Sequence, residues 1–168
     1  MTNKIQKLSD QALGKLYAIY ISPEAGAPMT SLSHVQAIKG KGLAGDRYAK
    51  EIGFWQKVSK PRSTVRDVSL VNLNDIVHSE FTQAETRRNL VMTNEENLTV
   101  LIHKFFIIGE VLFQGIEECT PCKRPSDLSG KSHFAEVFKN CGGLRARVLS
   151  DGIIRLGDEI FEVSWSDS

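Results

Sequence analysis

The residues that could do chemistry begin with Cys119-Thr120-Pro121-Cys122-Lys123-Arg124. A thiolate, rather than a thiol, binds a soft metal or attacks sulfur, and Lys123 and Arg124 put positive charge beside Cys122. The segment follows an apolar run and leads toward Pro125, so it is expected in a loop at the rim of a sheet or barrel. The plain alternative is a pair of buried, inert cysteines, because free cysteine is a good small core residue.

A second segment, Glu85-Thr86-Arg87-Arg88-Asn89-Leu90-Val91, sets two arginines and an amide ahead of an apolar run. Arginine forks suit phosphate or carboxylate, and asparagine offers both a donor and an acceptor to a heterocycle edge. On an extended segment neighbouring side chains alternate, so at most one of the two arginines is expected in a pocket and Asn89 on the same side as Arg87. Two solvated surface charges would give the same sequence.

Gly42-Leu43-Ala44-Gly45-Asp46-Arg47-Tyr48 reads as a glycine turn pinned by Asp46, with Arg47 as the residue able to reach a ligand. No Gly-Lys-Ser/Thr follows, which excludes a P-loop. The histidines, His34, His78, His103 and His133, form no helical pair. His133 draws notice only because it lies between Cys122 and Cys141.

These residues must be positioned by strands. Residues 16–21 form a short apolar, aromatic run, and residues 35–38 a weaker one. Val68 and Leu70 alternate with polar neighbours, as in a half-buried strand. Residues 105–108 and 111–113 are separated by Gly109-Glu110, a hairpin pattern. Leu144, Ala146 and Val148 alternate with arginines, and Phe161, Val163 and Trp165 with Glu162 and Ser164. Asp151-Gly152 and Gly157-Asp158 supply turns between them. Two short helices fit, one with Leu73, Ile76, Val77 and Phe81 after Asn72. The other carries Phe134, Val137 and Phe138 on one face, with Ser132 as N-cap. Residues 55–66 read as a long polar loop. The fold expected is mainly β, a barrel or sandwich with a few short helices.

At 168 residues the chain fits one domain, taken as residues 14–168 after an N-terminal extension at 1–13. Hydrophobic residues make up 41% and charged residues 24%, too apolar for disorder. A formal charge of +1, from 21 basic and 20 acidic residues, gives no whole-molecule attraction for nucleic acid or an anionic membrane. Residues 1–13 carry no apolar signal-peptide core, and no run approaches the roughly 20 apolar residues of a membrane span. Three cysteines in such a chain point to metal, sulfur or redox work in a cytoplasmic setting rather than to structural disulfides.

Taken in order, these segments resemble the MOSC family, the domain named for the C-terminus of molybdenum cofactor sulfurase. The resemblance runs through Gly42-Leu43-Ala44-Gly45-Asp46-Arg47-Tyr48, Arg66-Asp67-Val68-Ser69-Leu70, Arg87-Arg88-Asn89-Leu90 and Ile108-Gly109. It continues through Cys119-Thr120-Pro121-Cys122, Gly142-Gly143-Leu144-Arg145-Ala146 and Gly157-Asp158. It implies a β-barrel holding a molybdenum-pterin cofactor or a persulfide. Cys122 matches the cysteine that ligates molybdenum in MOSC-containing amidoxime-reducing enzymes, and Arg87, Asn89 and Thr120 match cofactor contacts. Cys141 stands where members often have arginine before the Gly142-Gly143 pair. The further N-terminal domain that helps enclose the cofactor in the amidoxime-reducing enzymes has no counterpart here. Nor has the desulfurase domain of the sulfurases, so pyridoxal phosphate is not expected in this chain.

The expectation is a protein acting through Cys122. It either ligates molybdenum in a reductase of N-hydroxylated compounds or carries sulfane sulfur. Its partner would be a sulfur donor such as a cysteine desulfurase, or a redox partner supplying electrons. A different class is a structural zinc site built from Cys119, Cys122, His133 and Cys141, whose Cys-x₂-Cys half has usual spacing. A thioredoxin-like role lacks the βαβ pattern around the two cysteines.

Overall fold

Alternating apolar residues along seven strands close a barrel in the computed structural model, which describes residues 4–53, 66–94 and 96–166. The strands are β1 (Lys4–Lys7), β2 (Gly14–Ile21), β3 (Thr30–Leu32), β4 (His34–Ile38), β5 (Gly42–Leu43) and β6 (Val68–Asn72). They continue with β7 (Leu90–Asn94), β8 (Phe105–Ile108), β9 (Val111–Glu118), β10 (Leu144–Val148), β11 (Gly152–Arg155) and β12 (Glu159–Ser166). The large sheet runs β1-β12-β8-β9-β10-β6-β7-β2-β3, and β12 also pairs with β2. That extra pairing, Glu159 with Lys15 and Ile160 with Gly14, closes the ring from β12 round to β2. Within this ring each strand has a neighbour on both sides, while β1 and β3 extend from it as the remaining short edges. A three-stranded sheet, β11-β4-β5, flanks the barrel.

Three short α-helices lie among the described residues: α1 (Leu73–Val77), α2 (Arg124–Ser129) and α3 (Phe134–Val137). The expected Gly109-Glu110 hairpin joins β8 to β9, with Ile108 opposite Val111. The barrel interior holds Leu16, Ile19, Leu70, Leu90, Met92, Phe106, Phe113 and Leu144, all nearly or fully buried. Phe106 and Phe113 stack there at 5.5 Å between ring centroids. Burying each such side chain contributes about 1.5–3 kcal/mol.

A second cluster lies on the outer wall. Ala18, Val71 and Val91 point outward from their strands and pack against Ile76, Phe81, Phe134 and Phe138. Phe134 meets Phe138 at 4.6 Å and Phe81 edge-on at 5.1 Å. This cover changes the reading of β6, where all five residues are buried rather than every second one.

Two local expectations fail for identifiable reasons. Ser132 does not cap α3; the preceding His133 is left-handed, and the Phe134 amide donates instead to Ser126 Oγ at 3.0 Å. Pro125 does not interrupt a loop but sits in the first turn of α2, where a missing N–H costs nothing. Of the polar loop expected at 55–66, only Arg66 falls within the described residues.

Candidate functional site

The cysteine segment begins where β9 ends. Cys119 extends the ladder by one residue, its amide donating to Gly143 O at 2.8 Å. The chain then turns through Thr120 and Pro121 into α2, leaving Cys119 buried and Cys122 half-buried. Arg88 fastens this turn from beneath. Its Nε donates to Gly142 O at 2.8 Å, Nη2 to Cys119 O at 3.5 Å and Nη1 to Thr86 O at 3.3 Å.

Arg87 reaches the same place because its backbone does not extend. Thr82 and Glu85 form a reciprocal cap, with Thr82 N donating to Glu85 Oε1 at 2.8 Å and Glu85 N to Thr82 Oγ1 at 3.3 Å. The short 3₁₀ turn Ala84–Thr86 follows and ends at Arg87 in the left-handed region, φ 63°. That twist cancels the alternation expected of an extended segment, so Arg87 and Arg88 both line one cavity. Arg87 Nη1 donates to the carbonyl of Ala27.

Asn89 goes elsewhere. It is fully buried, its Oδ1 accepting from Ser69 N at 3.1 Å and Ser69 Oγ at 3.3 Å, while Nδ2 donates to Tyr20 O at 3.1 Å. Its amide therefore ties β6 to the end of β2 and is not part of the cavity wall. The shared pocket expected for Arg87 and Asn89 is corrected to this extent.

The glycine turn does what its aspartate suggested. Asp46, fully buried, accepts from Ser22 N at 2.9 Å, Tyr48 N at 3.2 Å and Arg47 Nη1 at 3.1 Å. Arg47 lies over the Tyr48 ring at 4.4 Å, and both reach the cavity.

These elements meet at one end of the barrel around a cavity of about 270 Å³. Cys119, Thr120 and Cys122 form one wall, and six arginines line the rest: Arg47, Arg66, Arg87, Arg88, Arg124 and Arg145. No aspartate or glutamate is among its described lining residues. Glu117 bonds Arg145 at 3.0 Å and Asp46 bonds Arg47, which neutralises part of the charge. Arg87 and Arg88 are held by backbone carbonyls, which leave their charge in place. Burial, then neighbouring Arg47, with Arg124 adding, pushes the Arg87 guanidinium down to about 10. Burial and then Arg145 lower Arg66 as well.

Arg66 and Arg145 line the cavity although nothing in the sequence singled them out as site residues; Arg145 showed only as a polar residue alternating with the apolar ones of its strand. Lys123, expected to serve Cys122, is instead exposed and pairs with Asp127 at 3.8 Å, while Arg124 faces the cavity. The zinc tetrahedron is not assembled. Among the described residues no three His, Cys, Asp or Glu side chains stand close enough to hold a metal ion. His133 is exposed beside Glu136, and Cys141 packs on the outer cluster near Val137 O.

The sequence profile of the MOSC domain matches residues 42–161, most of the chain and all of the cavity wall except Ala25 and Gly26. The chain belongs to the MOSC family. No curated protein matches it in sequence. The fold of this MOSC domain is similar to that of the YuaD protein from Bacillus subtilis, with a TM-score of 0.74 at 18% identity. That alignment covers 99% of this chain and 100% of YuaD. YiiM from Escherichia coli aligns with a TM-score of 0.60 at 18% identity, over 92% of this chain and 72% of its own. YiiM from Geobacillus stearothermophilus gives 0.60 at 14% identity, over 96% and 76%. At these identities the likeness is one of fold. Among the described residues no helix is long and apolar enough to cross a membrane.

Proposed function

We propose that this MOSC domain binds a phosphate-bearing molybdenum cofactor, accepts sulfane sulfur, or does both, at the arginine-lined cavity, with Cys122 as the acting thiol. The observation that carries the reading is the meeting of Cys122 with six arginines in one cavity. Guanidinium groups recognise phosphate as rigid forks, and a cysteine sulfur is a soft ligand suited to molybdenum or sulfur.

The donor set fits the cofactor's phosphate and metal. Arg87, Arg124 and Arg47 would hold the phosphate, and Cys122 the metal, with the Thr120 hydroxyl at the mouth. The fit ends at the pterin edge, because the Asn89 amide is committed to Ser69 and Tyr20. The cavity is also slightly below the range of about 300–1,000 Å³ usual for small-molecule sites, so a pterin would extend through the open side. When bound, a molybdenum centre would supply two-electron chemistry, as for reduction of an N-hydroxylated compound. The chain's own contribution is to orient the phosphate, to fix Cys122 through the Arg88 staple, and to offset negative charge.

A redox partner would serve the cofactor branch, and a sulfur donor such as a cysteine desulfurase the carrier branch. Both belong to a cytoplasmic setting in this reading. The test is to produce the protein in a cofactor-replete host and measure bound molybdenum, pterin and Cys122-linked sulfur. Molybdenum or persulfide retained by the wild type and lost from Cys122→Ser is expected. Equal retention by both proteins would refute the assignment to Cys122.

A further inference from the structure

The charge around Cys122 bears on which sulfur donor it can meet, an inference that rests on the sulfur-accepting branch above. A thiolate and an anionic sulfur donor repel each other, so their reaction in water starts at a disadvantage. Fixed cations around the meeting point remove it, and they act most strongly where water is displaced. Cys122 has that surrounding.

Arg87 and Arg124 lie on the same wall. Arg87 donates to Ala27 O, and Arg124 Nη2 stands 3.4 Å from where a Cβ on neighbouring Gly26 would lie. Arg87 has no carboxylate partner among the described residues, and its charge is opposed by Arg47 and Arg124 rather than balanced by them. A cavity of about 270 Å³ has room for a small oxyanion beside Cys122. The volume that is tight for a pterin is ample for such a donor.

We infer that this cavity is a sulfurtransferase site for sulfane-sulfur oxyanions, the class of thiosulfate and the organic thiosulfonates. The Cys122 thiolate attacks the outer sulfur of the donor. A Cys122 sulfur–sulfur bond forms, and the donor's own sulfur–sulfur bond breaks with its electron pair leaving on sulfite, or on a sulfinate where the donor is a thiosulfonate anion. Cys122 is left as a persulfide anion, one negative charge for one, and sulfite departs with two charges, as the thiosulfate arrived. The outer sulfur is exchanged between two sulfur partners, so no external oxidant, reductant or proton is needed. Arg87 and Arg124 hold the oxyanion end and remain paired with the leaving sulfite, while Arg88 keeps the cysteine turn in place. A thiol or cyanide can then take the outer sulfur and return Cys122 to its thiolate.

The experiment uses the full chain, reduced and freed of bound sulfur, with thiosulfate as the anionic donor and a neutral organic trisulfide as the uncharged one. Mass spectrometry reads the Cys122 adduct, a persulfide from thiosulfate and a mixed disulfide or trisulfide from the neutral donor, and a sulfite assay reads the leaving group. Persulfide with an equal amount of sulfite, both absent in Cys122→Ser, is the expected result. Arg87→Gln and Arg124→Gln should each raise the KM for thiosulfate roughly tenfold or more and lower loading from the trisulfide far less. Because a merely misfolded variant would lose both donors, the neutral donor separates charge recognition from damage. A second reading is alkylation of wild-type Cys122. The ratio of iodoacetate to iodoacetamide rates should exceed that of free cysteine by about tenfold, through local enrichment of the anion. Loading from the trisulfide but not from thiosulfate would overturn this inference and leave the sulfur-accepting branch standing. Loading from neither donor would overturn both.

Discussion

Arg87 donates from Nη1 to the carbonyl oxygen of Ala27, sixty positions earlier in the chain, and so closes the loop after β2 over the cavity. The bond positions the guanidinium without neutralising it. Burial and the nearby Arg47 push the group down to about 10, so the folded state holds this charge at a cost. The unfolded chain binds the proton more tightly. For this group, stability is therefore diminished throughout the range below about 10 and rises with pH only above it. At neutral pH the penalty is fully in force. An anion in the cavity should relieve it.

The first prediction follows from that penalty. Phosphate or sulfate should raise the wild-type Tm more than chloride does at equal ionic strength. Arg87→Met should reduce this anion effect while leaving the ligand-free protein as stable as the wild type or more so, apart from the lost Ala27 contact. Differential scanning fluorimetry across an anion series checks it. Equal responses to phosphate and chloride would contradict the charge argument.

Asn89 supports a second prediction of the opposite kind. Its side chain satisfies Ser69 and Tyr20 within the protein, so Asn89→Ala should leave buried donors and an acceptor unmatched. Each unmatched group costs about 1–3 kcal/mol, and the substitution should destabilise the fold by at least about 2 kcal/mol in urea. The rate of Cys122 alkylation in the folded protein should change less than twofold (about the resolution of such a ratio). A loss of ligand affinity at unchanged stability would show that the amide acts on a ligand.

Much of this was readable from residue order. Period-2 alternation located β10 and β12, the Gly109-Glu110 pair located a hairpin, and the arginine and cysteine segments were expected to share a site. What alternation could not give was the behaviour of single residues. Arg87 leaves the extended region, so Arg87 and Arg88 both enter the cavity while Asn89 turns into the wall. A left-handed arginine is set by the turn before it and by its long-range bond to Ala27, neither of which has a sequence period. Likewise the outer face of β6 is buried under a cluster to which Phe134 and Phe138 return from far along the chain.

The three cysteines should differ in reactivity. Cys119 is only 4% exposed and should resist alkylation in the native state, whereas Cys122, on the same cavity wall, is half-buried and more accessible. Burial, then Asp75 and Glu118, push the Cys141 thiol up, so less of it is thiolate at neutral pH than for a free thiol. Its alkylation should therefore lag behind Cys122 at neutral pH and gain disproportionately as the pH rises. Peptide mapping after timed labelling reads all three sites. Fast labelling of Cys119 ahead of Cys122 would reverse the order and the assignment.

The last prediction concerns Gly142, whose carbonyl receives Arg88 and whose Cα abuts the cysteine turn. A Cβ on Gly142 would stand 2.2 Å from Cys119 O and 2.8 Å from Pro121 Cδ, distances at which backbone must move. The atoms that would be displaced belong to the turn that presents Cys122. At Gly143 the obstacle is different. It adopts φ 107°, and a Cβ there would stand 2.0 Å from Leu70 O in the neighbouring strand β6. Gly143→Ala should therefore damage the barrel, lowering stability by more than about 3 kcal/mol and impairing recovery of folded protein. Gly142→Ala strains a turn at the rim and should be the more tolerated of the two. Its main effect should be on the site, by shifting Cys122 relative to Arg87 and loosening the Arg88 staple. We expect the anion preference of Cys122 alkylation to fall several-fold in Gly142→Ala, toward the value of free cysteine, while the protein still unfolds cooperatively. Thermal unfolding and the iodoacetate-to-iodoacetamide ratio, measured on both variants, separate the two effects. If Gly142→Ala keeps the wild-type ratio, the close approach of Gly142 to Cys119 does not govern the placement of Cys122.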